Sequence, residues 1–150
     1  MSQPAVLLLS GPNLDLLGER EPDVYGTATL ADHVDAAACE AEQCGLAVTH
    51  LQSESEADLV RAVHTARAES AGIIINGGAF THYSWALHDA LAAFEGPVVE
   101  LHLSNPGARE DFRHQSVLTP VSTAVIAGLG GEGYPLAVRA MAGLLGTLSA

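Results

Sequence analysis

Five short, mostly apolar runs, at residues 5–9, 47–51, 72–75, 97–101 and 124–127, recur along the chain at intervals of about 25 to 42 residues. Each is strand length, and near-continuous apolar character is what a strand covered on both faces requires. The segments between them have helical periodicity. Leu30, Val34, Ala37, Ala38 and Ala41 share one helix face. Leu59, Val63 and Ala66 share another, as do Leu87, Ala90, Leu91 and Phe94. Strands alternating with helices predict an α/β fold: a flavodoxin-like three-layer sandwich around a five-stranded parallel sheet, forming a single domain over residues 1–150.

Helix ends are marked as well. Thr29 with Asp32 has the spacing of a capping box, and Gly45 stands where the helix that follows should stop. Ser55 with Asp58 opens the next helix, a third is predicted from about Ser84 to Phe94, and a last one from near Tyr134, with Pro135 in its first turn, to about Leu145. The fourth connection, after Asn105-Pro106-Gly107, is expected to form a short helix. On it, Arg109 and Arg113 would project from one face at i, i+4.

Charge narrows the partners. The chain carries 6 Lys plus Arg against 18 Asp plus Glu, for a net charge of −12. Such a field repels phosphate backbones and anionic membrane surfaces, so neither nucleic acid nor a membrane is an expected partner. All six cationic side chains are arginine. Without lysine there is no Schiff-base nucleophile, no Walker-type phosphate lysine and no receiver-domain lysine. No run approaches the roughly 18 apolar residues of a membrane span, and the start of the chain lacks a basic signal-peptide region, which makes the cytoplasm the expected location. Cys39 and Cys44 have no second pair and no histidine at ligand spacing, so no metal site is expected.

In parallel sheets of this kind, ligands bind beyond the carboxyl ends of the strands. After the first strand, residues 10–26 form a stretch too long for an ordinary turn. After the third comes Asn76-Gly77-Gly78-Ala79-Phe80-Thr81-His82, which combines glycines that allow close backbone approach with two hydrogen-bonding side chains. Near the end of the fourth, Glu100 and His102 alternate onto the same side of the strand, where a carboxylate can set the tautomer of an imidazole acid. The glycines at 128, 130, 131 and 133 lack the following Lys or Ser/Thr of a phosphate loop and are read as a turn.

The segments GPNLDLLGEREPDVYG, QSESE, INGGAFTH, ALHDAL, ELHLSNPGAREDFRHQS and GLGGEGY, in this order and spacing, resemble the type II 3-dehydroquinate dehydratases over nearly the whole chain. The resemblance implies dehydration of 3-dehydroquinate to 3-dehydroshikimate in the shikimate pathway, without metal or organic cofactor, by a homododecamer of four trimers. It implies that Tyr25 is the general base beside Arg20 on a mobile loop, and His102 the general acid supported by Glu100. Asn13 matches the residue holding a water near the enolate, while Asn76, Ser104 and the Leu103 amide match groups around the substrate carboxylate. His82 and Arg113 match ligands of the ring hydroxyls, Asp89 a residue contributed by a neighbouring subunit, and Arg109 a supporting arginine of the same wall.

These roles make chemical sense. A free tyrosine, with a pKa of about 10, is only about 0.1% ionised at pH 7. A base made from Tyr25 therefore needs positive charge beside it, and Arg20 with Arg113 are expected to supply it. His33, His50, His64 and His114 are read as structural or surface residues. Ser10, Tyr83, Trp85, His88 and Pro106-Gly107 depart from the family's usual pattern, which bears on substrate scope and subunit packing. Two alternatives stand beside this reading: a related dehydratase for an amino analogue of the substrate, and a non-catalytic flavodoxin-like binding module.

Overall fold

A computed structural model describes residues 2–148 of the chain. Its five strands, β1 (Ala5–Ser10), β2 (Ala47–Gln52), β3 (Gly72–Asn76), β4 (Val98–His102) and β5 (Ala124–Ala127), form one parallel sheet in the order β2-β1-β3-β4-β5. Each strand lies within a residue or so of the apolar run that predicted it. The chain reverses its direction of travel across the sheet between β1 and β3, where Ser10 pairs in register with Asn76. That switch point is where the strand ends splay to leave a crevice.

Alternating side chains divide the core in two. Val6, Leu8, Ile74, Val99 and Leu101 point to one face, beneath α2 (Leu30–Cys44) and α5 (Gly133–Leu145). Leu9, Ile73, Ile75 and Val98 point to the other, beneath α3 (Glu56–Glu69) and α4 (Trp85–Ala92). The three expected layers are therefore present. The capping box of α2 closes in both directions, with the Asp32 N–H donating to Thr29 Oγ1 at 3.2 Å and the Thr29 N–H donating to the Asp32 carboxylate at 2.9 Å. Such a cap is worth about 1 kcal/mol. Ser55 and Ser84 cap α3 and α4 in one direction only, each hydroxyl accepting from the N–H three residues on.

Two connections differ from expectation. Residues 10–26 are not wholly irregular: a 3₁₀ turn at Leu14–Leu16 precedes one helical turn, α1 (Pro22–Tyr25), opened by Pro22. The segment after β4 contains no α-helix. Its first part folds as two 3₁₀ turns, Pro106–Ala108 and Asp111–Arg113, separated by extended backbone at Arg109 and Glu110, and a third follows at Thr119–Val121. The Asn105 side chain accepts from the Gly107 N–H at 3.1 Å, and this local turn around Pro106 competes successfully with helix formation.

Candidate active site

The loops after β1 and β3 meet backbone to backbone. The Gly11 N–H donates to the Asn76 carbonyl at 2.8 Å, and a Cβ placed on Gly11 would lie 2.4 Å from the Gly77 oxygen. Gly78 takes a positive φ of 56°, and a Cβ there would come within 3.0 Å of the Pro12 oxygen. Only glycine allows this approach. Above this floor opens a cleft lined among others by Asn13, Arg20, Tyr25, Asn76, His82, His102, Leu103, Ser104, Arg109 and Arg113.

Asn13 adopts left-handed backbone geometry, with φ of 66°, and its N–H donates to both oxygens of Glu54 at 3.1 Å. This bond and one from Gln52 hold the Glu54 carboxyl below its ordinary pKa. Asn76 is buried at the end of β3. Its Oδ1 accepts from the Gly78 N–H at 3.3 Å, which fixes the orientation of the carboxamide.

Tyr25 closes α1, and its oxygen accepts a hydrogen bond from Arg109 Nη1 at 2.7 Å. The same Nη1 donates to Ser104 Oγ at 3.3 Å. Arg20 lies over the Tyr25 ring, 5.3 Å from its centroid, and pairs with Glu21 at 3.1 Å. The structure thus corrects the expected partner of the phenol. Arg109 makes that contact, while Arg113 donates to Glu110 at 3.0 Å and sits over the Phe112 ring. The reason is the broken helix: extended backbone at Arg109 and Glu110 separates the two guanidinium groups, and Glu110 spans them, with its other oxygen 3.6 Å from Arg109.

Glu100 and His102 meet as their alternation on β4 requires, with His102 Nε2 2.6 Å from the Glu100 carboxylate. The carboxylate is buried, at 1% exposure, and does not itself line the cleft. Burial pushes its pKa upward, but hydrogen bonds from His102, Thr119 and Ser116 outweigh that effect and leave it below the ordinary carboxylate value. An ionised acceptor dictates that Nε2 carries a hydrogen, leaving Nδ1 as the second ring nitrogen available to carry a proton. Sequence reasoning missed Ser116 and Thr119, although both lie within reach of the HQS motif. His82 Nδ1–H donates to the Gln115 carbonyl at 2.7 Å, which places the ring at the cleft wall.

Asp89 is not brought into the cleft of its own chain. It stands on α4 with its side chain 81% exposed and paired with His88 at 3.0 Å. Tyr83 and Trp85, near the start of the same helix, are 58% and 62% exposed.

Three of the chain's six cationic side chains line the cleft, and no carboxylate does among the described residues. Glu21 and Glu110 pair with these arginines from outside the lining, which leaves three guanidinium groups against two such carboxylates on a body of net charge −12. No group of three or more His, Cys, Asp or Glu among the described residues is arranged to hold a metal ion. No helix among them is long and apolar enough to cross a membrane.

Known proteins resemble this chain along most of its length. Residues 4–142 match the family described as dehydroquinase class II. A 3-dehydroquinate dehydratase of Bacillus licheniformis is 54% identical over 135 residues, covering 90% of this chain and 93% of that protein. That of Bacillus subtilis is 50% identical over 136 residues, covering 91% and 92%. The crystal structure of type II dehydroquinase from Propionibacterium acnes superposes with a TM-score of 0.91 at 40% identity, covering 95% of this chain and 98% of the other. The chain belongs to the class II dehydroquinases.

Proposed function

We propose that this protein is a type II 3-dehydroquinate dehydratase, converting 3-dehydroquinate to 3-dehydroshikimate and water in the shikimate pathway. The observation that carries the mechanism is the pair of assemblies lining one cleft: a phenol held by an arginine and an imidazole held by a buried carboxylate. Tyr25 removes a proton from the carbon beside the ketone, and the Arg109 and Arg20 charges compensate the negative charge on its oxygen. The resulting enolate is stabilised by hydrogen bonding from Asn13 through a water. His102 then protonates the departing hydroxyl, and Glu100 stabilises the imidazolium before transfer. The proton taken by Tyr25 passes to solvent and His102 takes one back from it, so the enzyme is restored and the net products are enone and water.

Asn76, Ser104 and the Leu103 N–H receive the substrate carboxylate. His82 and Arg113 bind ring hydroxyls. The route needs neither metal nor organic cofactor, since side-chain charges and hydrogen bonds of the chain itself stabilise the phenolate, the enolate and the imidazolium. The assembly is a homododecamer of four trimers in the cytoplasm, in which Asp89 reaches a neighbour's cleft. Exposed Tyr83 and Trp85 beside it support a subunit contact at that helix.

The enone chromophore of the product tests this function directly. Purified protein given 3-dehydroquinate should produce a steady rise in enone absorbance that survives chelator. No turnover would overturn the assignment.

A further inference from the structure

Beneath the cleft floor, a file of buried polar groups crosses three strands without a role in the route above. Asn76 Nδ2 lies 3.4 Å from the oxygen of Tyr134, whose pKa burial pushes up. On the neighbouring strand, Ser10 Oγ lies 2.9 Å from His50 Nε2 of the edge strand β2. Exposure is 3% for Asn76, 1% for Tyr134 and 0% for Ser10, so these groups depend on protein partners.

One bond has a fixed direction. Asn76 Oδ1 is committed to the Gly78 N–H, so its Nδ2 must be the donor to Tyr134. Beside it, Ser10 meets His50, whose pKa burial pushes down. The Tyr134 ring itself is fixed by the core and by His33, stacked on it with centroids 5.0 Å apart and planes 11° from parallel.

We infer that Tyr134 is a positioning residue for the substrate: its hydroxyl, carried on a ring locked in the core, fixes the Asn76 carboxamide so that the remaining Nδ2 hydrogen is presented to the cleft. This rests on the proposed dehydratase reading.

The test is a kinetic double-mutant cycle with 3-dehydroquinate. Tyr134→Phe keeps the stacked ring and deletes only the hydroxyl. KM should rise about three- to tenfold, the worth of one neutral hydrogen bond, with kcat within about twofold of the parent. In an Asn76→Ala background, Tyr134→Phe should produce no further change in kcat/KM, because there is no carboxamide left to orient. Tyr134→Met removes the same hydroxyl while still filling the core and should raise KM in the same direction, so it carries the test if Tyr134→Phe does not fold. Parental KM in the folded variants overturns the inference while leaving the dehydratase assignment intact. The same loss of kcat/KM with and without Asn76 overturns it as well, since that is the mark of a merely structural hydroxyl. A parental chain without turnover removes the functional reading and this inference with it.

Discussion

The phenol of Tyr25 and the guanidinium of Arg109 meet at 2.7 Å although 84 residues separate them in sequence. The contact joins the loop after β1 to the wall after β4 and spans the cleft between them. Tyr25 also lies near two arginine faces, Arg20 at 5.3 Å and Arg109 at 5.2 Å from its ring centroid. An oxygen in this setting is suited to carry negative charge, and the first prediction follows from it. Tyr25→Phe should retain the fold and lose kcat by about 10²- to 10⁴-fold, the range of general-base catalysis. Near-parental turnover in a folded variant would remove Tyr25 from the mechanism.

Arg109→Met should be damaging in its own right. It deletes a charge-assisted hydrogen bond to Tyr25 and one to Ser104, and the first alone predicts a loss of about 10- to 100-fold in kcat/KM. Arg113→Met, which leaves the phenol's contact in place, should act mainly on KM. Steady-state kinetics of the two variants, side by side, separate the roles; equal effects on kcat would mean that the distinction drawn from their contacts is mistaken.

Stability should fall with acid in two stages. Burial holds His33 and His50 below their ordinary pKa, with Asp32 partly opposing this at His33. The unfolded chain therefore takes up protons that the folded chain refuses, and stability declines as pH drops below about 6.5. Glu100 is also held low, its hydrogen bonds prevailing over burial, and its contribution is present above the unfolded carboxylate value of about 4.3 and lost as pH falls through the depressed folded value. Thermal melts across this range should show both declines. In Glu100→Gln the lower one should become shallower while the upper one persists.

Assembly supplies a fourth expectation. If Asp89 serves a neighbour's cleft, Asp89→Ala should weaken substrate binding even though the residue lies outside its own chain's cleft. Mixing Asp89→Ala with Tyr25→Phe subunits should then restore part of the activity through hybrid sites. Sedimentation velocity provides the complementary check, and a fully active monomer would exclude a shared site.

Much of this molecule is legible along the chain because its signals are local. Apolar runs mark the strands, Thr29 with Asp32 and Ser55 with Asp58 mark helix starts, and strand alternation alone puts Glu100 beside His102. What is not legible depends on closure of the fold. No periodicity links Tyr25 to Arg109, or Asn76 to Tyr134 58 residues away. The expected pairing of Tyr25 with Arg113 assumed helical spacing after Asn105. The Asn105 side chain, by capturing the Gly107 N–H, removed that spacing and exchanged one arginine for the other. Ser116 and Thr119 escaped notice for a related reason, since nothing in their spacing shows that both turn back to the same buried carboxylate.

The floor of the cleft is made of main chain, with Gly11 against Gly77 and Gly78 against Pro12 closer than any Cβ would permit. A surface without side chains offers substitution nothing to vary: any larger residue at Gly11 must part the two loops that aim Asn13 and Asn76. Accommodating a bulkier or differently charged substrate, whether by drift or by engineering, is thereby confined to the walls, at positions such as Ala79, Pro106 and Arg113. The range of molecules this scaffold can come to accept is bounded by that division between an immutable base and editable sides.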